Sequence, residues 1–78
     1  MRFEGLRVAI YPNDHRPAHV HVIGPQGETV FVLHCPDGPP ELRESHGFGG
    51  AEITRVRAAL ARRLVGLCES WRRFHGRY

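Results

Sequence analysis

The 78-residue chain has no lysine, only two cysteines, and no long hydrophobic run. All eleven basic residues are arginine. Arginine forks pair well with phosphates and carboxylates, but a GC-rich genome produces the same usage, so the formal charge of +3 does not by itself define a nucleic-acid binder. Cys35 and Cys68 form no C-x-x-C pair. Two reduced thiols serving as packing are the expectation, and a disulfide framework is not. The amino terminus, MRFEGLRVAIYP, carries Arg2, Glu4 and Arg7 and lacks the apolar run of a signal peptide. No stretch approaches a membrane span either, so no membrane partner is expected and the cytoplasm is the expected compartment.

What remains is the composition of a folded domain. Apolar residues make up 41 % of the chain, without a low-complexity tract or an internal repeat, which excludes a disordered chain. A chain of this length builds one core and buries roughly 60 % of its unfolded surface, so residues 1–78 form a single domain. So small a domain often gains stability from a metal, a disulfide or a partner, and a homo-oligomer is one such route.

From Leu6 to Tyr11 the apolar Leu6, Val8 and Ile10 alternate with Arg7 and Tyr11, the period of a half-buried strand. Pro12, Asn13 and Asp14 break it. A second strand is expected over Ala18 to Gly24, with Val20 and Val22 on one side and His19, His21 and Ile23 on the other. Gly24-Pro25-Gln26-Gly27 reads as a turn, and Glu28 to Cys35 reads as a central strand. After the breakers Pro36 to Pro40, Glu41 to His46 fits a short polar edge strand. From Ala51 onward Ile53, Val56, Leu60, Leu64, Leu67, Trp71 and Phe74 follow spacings of three and four, one stripe on a long helix that Gly76 can end. The expected fold is α+β: a three- or four-stranded antiparallel sheet with one long carboxy-terminal helix packed on one face. Arg7, Tyr11, His19 and His21 would then share the sheet's open face.

Three of the six histidines fall within seven residues, in Asp14-His15-Arg16-Pro17-Ala18-His19-Val20-His21-Val22. Residues i and i+2 of a strand project from one face roughly 6.5 Å apart, so His19 and His21 can converge on one point. His15, on the preceding turn, can fold back towards them, and Asp14 can orient a ring by accepting its other N–H. One reading is a metal site in which His15, His19 and His21 hold a divalent ion such as zinc and leave a position open. A second is metal-free acid–base catalysis on a phosphodiester by the same histidines, with Arg16 or Arg7 steadying phosphoryl charge. The third gives the histidines only hydrogen bonds to the loop or a solvated face.

The remaining candidates have plainer explanations. Trp71 and Phe74 are expected as core anchors, Cys68 as buried filler, and His34 and His46 as surface residues. The basic end Arg72 to Tyr78 suits phosphates, although the helix dipole accounts for cations there.

The cluster resembles the hallmark Y-x-x-D-H-x-P-x-H-x-H-V of the small bacterial proteins called domain of unknown function 4160. Here it stands as Tyr11, Asp14, His15, Pro17, His19, His21 and Val22. The resemblance continues through Gly27-Glu28 into the helix with Leu67 and Trp71. It implies a small α+β fold, with His15, His19 and His21 at the site and Asp14 and Tyr11 as supports. It also implies a role in a toxin–antitoxin module, as an RNA-directed toxin or as a protein bound to a small cognate partner. Two alternatives stand beside that role: a metal-binding protein or metal-dependent hydrolase, and a non-enzymatic domain that binds protein or nucleic acid.

Overall fold

The computed structural model describes residues 1–78 and shows an α+β fold. Five strands, β1 (Arg2–Phe3), β2 (Leu6–Ala9), β3 (His19–Gly24), β4 (Gly27–Val32) and β5 (Glu41–His46), precede α1 (Gly50–Arg62) and α2 (Leu64–His75). The strands form one antiparallel meander in chain order.

Five strands replace the expected three or four because β1 is a two-residue strand, too short to show alternation. It is joined to β2 by Glu4 and Gly5, both at positive φ (48° and 77°), the backbone of a tight hairpin. The polar edge strand over Glu41–His46 is present as β5. Strand β4 stops short of Cys35: Leu33 still donates its N–H to the Ala18 carbonyl, and His34, at φ 54°, turns the chain out of the sheet.

The single expected helix is two. At Arg63 the backbone leaves helical geometry (φ −111°, ψ 13°), and its N–H reaches the Leu60 carbonyl three residues back. The apolar stripe hides this break because Val56 and Leu60 on α1 and Leu67 and Trp71 on α2 all remain buried. On α2 the inward rows run through Leu64, Leu67, Cys68, Trp71 and His75, which leaves Phe74 outside; it is 57 % exposed and is not the expected core anchor. Trp71 is, at 0 % exposure. Gly76 ends α2 in the left-handed region (φ 79°), as the sequence predicts.

Val20, Val22, Phe31 and Leu33 of the sheet pack with Val56, Leu60, Leu67 and Trp71 of the helices. The opposite face of β3 is left to His19 and His21. The register of β3 on β4 is set by a two-residue turn, Pro25-Gln26, between paired Gly24 and Gly27. At that end of the sheet a Cβ on Gly27 would collide with the His46 carbonyl, and one on Gly47 would collide with the Gln26 carbonyl. Two backbones therefore touch where only glycine fits. Between Val30 and Phe31 the pairing to β5 slips: Val30 faces Glu44 and Phe31 faces Leu42, so Arg43 is the extra residue of a β-bulge. The fully buried Thr29 hydroxyl donates to the Glu44 carbonyl beside it (2.9 Å).

Cys35 and Cys68 are joined by a disulfide, contrary to the expectation of reduced thiols. Linear spacing hides the pair, since it forms only when α2 lays Cys68 over the segment that leaves β4. No helix is long and apolar enough to cross a membrane. The bridge spans 33 residues, and closing a loop of that size in the unfolded chain gives ~4 kcal/mol by chain entropy, with measured values commonly ~2–4 kcal/mol. Replacing both cysteines with serine should lower the urea midpoint accordingly under oxidising conditions. An unchanged midpoint would show that the bridge contributes nothing to stability.

Candidate metal centre

The site forms where the strand pattern meets a turn. Tyr11 to Asp14 close a turn through the Asp14 N–H and the Tyr11 carbonyl (3.1 Å), and the chain then re-enters the sheet at Ala18. This brings the Asp14 carboxylate over the first residues of β3. Asp14 Oδ2 lies 3.0 Å from His21 Nε2 and 3.3 Å from His19 Nε2. One ligand atom from each of the three residues falls within 4.8 Å of the others.

Each ring is held from behind by its other nitrogen. His19 Nδ1 is 2.8 Å from the Pro17 carbonyl, and His21 Nδ1 is 2.7 Å from Glu28 Oε2. His19 is 5 % exposed, with its ring centroid 5.2 Å from Trp71 and 5.3 Å from His21. Tyr11 lies against the other side of His21 at 4.9 Å. The end of α2 closes the back of the group: His75 stacks on Trp71 at 3.8 Å and its Nε2 donates to the Tyr11 carbonyl (3.2 Å).

The hydrogen count in this cluster is informative. A carbonyl oxygen only accepts, so His19 carries its proton on Nδ1 and turns a bare Nε2 towards Asp14. His21 lies between two carboxylates, and a neutral imidazole has one proton for both. Two neutral rings thus supply two N–H groups to three hydrogen bonds, while His19 Nε2 stands 3.3 Å from Asp14 Oδ2 without a hydrogen bond between them. The one missing hydrogen is met by a second proton on His21 or by a cation among Asp14 Oδ2, His19 Nε2 and His21 Nε2. The second arrangement leaves each Nδ1–H for Pro17 and Glu28, which is how metal-bound histidines are usually oriented. The two distances from Asp14 Oδ2 match edges of roughly 3.0 to 3.4 Å in an octahedron or tetrahedron built on bonds of about 2.1 Å.

The cluster opens into a pocket of about 500 Å³ whose wall includes His15, Arg16 and Arg43 and whose floor includes Val30 and Val32. His15, expected as a third ligand, is exposed on this wall and is not among the converging atoms. The third converging atom comes from Asp14, expected only to orient a ring. Arg16 is exposed on the same wall, and the Tyr11 ring lies beside His21. His19 departs from the expected open face, since Trp71 and the loop cover it. Arg7 is outside this pocket.

Glu28 is the residue that sequence reasoning missed. His21 pairs directly with Val30, so Glu28 is the diagonal neighbour two residues along on the same face. Counting back from the Gly24–Gly27 turn would have placed it there. His34 and His46 stay at the surface, beside Glu41 (2.6 Å) and Glu44 (3.7 Å).

Fold and site together define a small α+β domain with two imidazoles and a carboxylate facing a pocket on the sheet. The chain belongs to the family described as Domain of unknown function (DUF4160), whose model matches residues 5–72. No curated protein and no solved structure matches it.

The proton count makes a spectroscopic prediction. Long-range ¹⁵N–¹H correlation of the histidine rings, on metal-loaded protein, should show His19 and His21 as Nδ1–H tautomers. An Nε2–H signal from His19 would refute the assignment.

Proposed function

We propose that this protein binds a divalent transition-metal ion through Asp14, His19 and His21. The observation that supports it is the proton shortfall: three lone pairs converge while both Nδ1 atoms are already engaged. Imidazole and carboxylate donors suit zinc and neighbouring first-row ions, and two histidines with one carboxylate also form the triad of non-haem iron sites. Three protein ligands leave coordination positions open towards the pocket, which is the arrangement of reactive rather than purely structural sites. This reading takes Asp14 in place of His15 in the ligand set expected from the sequence. A purely hydrogen-bonded cluster needs a second proton on His21 and still leaves the His19 Nε2 lone pair turned towards the Asp14 carboxylate. The family supports no toxin–antitoxin role on its own, and the geometry adds nothing specific to that role.

Tag-free protein loaded with Zn²⁺ and dialysed should retain about one ion per chain by elemental analysis. Asp14→Ala, a loop change that leaves the core untouched, should abolish retention, whereas His15→Ala should not. Glu28→Gln should weaken affinity by about 10- to 100-fold, the range for loss of an orienting partner. Metal-free wild-type protein, or loss of metal in His15→Ala but not in Asp14→Ala, would overturn the proposal.

A further inference from the structure

Resting on that reading, we infer that the pocket beside the metal centre is a phosphoryl-binding site in which Arg43 and Arg16 hold the oxygens that the metal does not. The β-bulge is the first support. In a regular strand β5 would alternate, with Arg43 on the core side of Leu42's neighbours or on the pocket side, but never next to Glu44 on the same face. The slip between Val30 and Phe31 lets Leu42 pack against the core while Arg43 and Glu44 both line the pocket. Bulges recur beside functional sites because they re-aim a side chain in this way. The Thr29 hydroxyl, itself fully buried, ties down the Glu44 carbonyl at the irregularity.

The second support is that both guanidiniums are free. Neither Arg16 nor Arg43 takes part in any ion pair or side-chain hydrogen bond of the chain. Glu44, adjacent to Arg43, turns instead towards His46. Two unpaired cations thus share a pocket with the open side of the metal centre.

The number of oxygens then selects the ligand class. A carboxylate offers two, so a metal bond to one leaves a single oxygen for both guanidiniums. A phosphate monoester offers three terminal oxygens, one for the metal and two for the guanidiniums. The volume of about 500 Å³ admits a substituent on the phosphorus, and Val30 and Val32 give it an apolar floor.

Inorganic phosphate and Co²⁺-loaded protein provide the test. The ³¹P relaxation rate of phosphate should rise saturably with Co²⁺-loaded wild type. In the Arg16→Ala/Arg43→Ala double variant phosphate affinity should fall by about tenfold or more, while the Co²⁺ absorption spectrum and circular dichroism stay unchanged. Arg43→Lys, which keeps the charge but loses the fork, should fall in between. Phenyl phosphate, a monoester, should displace phosphate, whereas dimethyl phosphate, with only two terminal oxygens, should displace it no better than acetate. Equal displacement by acetate, equal affinity in the double variant, or no relaxation effect with Co²⁺ visibly bound would overturn the phosphoryl site and leave the metal centre standing. Absence of a Co²⁺ spectrum in wild type would instead overturn the metal centre, and this inference with it.

Discussion

Burial of Val20 and Val22 beneath the two helices fixes strand β3, and nearly everything at the site follows from that anchoring. Both valines are at 0 % exposure, so the strand cannot slip by one residue without moving them into the open and driving His19 and His21 into the core. Each fully buried valine contributes roughly 1.5–3 kcal/mol of hydrophobic stabilisation. The histidines are thus presented by a strand whose stability comes from its other face. A site built on so short a chain avoids needing a rigid scaffold of its own.

The back of the cluster is reinforced from the helical layer. Trp71 is the largest fully buried side chain, donates its indole N–H to the Arg77 carbonyl (3.0 Å), and carries His75 stacked on one side with His19 nearby. Cys68, one turn earlier, is covalently tied to the segment leaving β4. The helix that covers the core is therefore also the element that limits movement of His19. The 14–17 loop completes the site on its open side, supplying the Asp14 carboxylate and the Pro17 carbonyl that holds His19.

The sequence makes some of this legible and hides the rest for identifiable reasons. Alternation over β3 is local, so the pairing of His19 with His21 and the burial of Val20 and Val22 can be read directly. Asp14 and His15 are neighbours on a turn, and which of them faces the strand depends on backbone dihedrals that residue types leave open. Glu28 is recoverable from the two-residue turn, but only once the register is counted. The helix break at Arg63 has no proline or glycine to announce it, and the stripe runs straight through. The Cys35–Cys68 bridge and the Arg43 bulge are tertiary events: one needs α2 placed on the sheet, the other needs β4 and β5 in register.

Gly27 and Gly47 give the molecule an uneven tolerance of sequence drift. Their backbones touch partners at the end of β3 opposite the histidines, and any side chain there must force two segments apart. That end of the sheet is closed to substitution and to turn insertions. The pocket rim, formed by the 13–17 loop and by Arg43 and Glu44, has exposed side chains and open space. Diversification within such a fold would accumulate at the rim, altering what the pocket admits while the strand that carries the histidines stays the same.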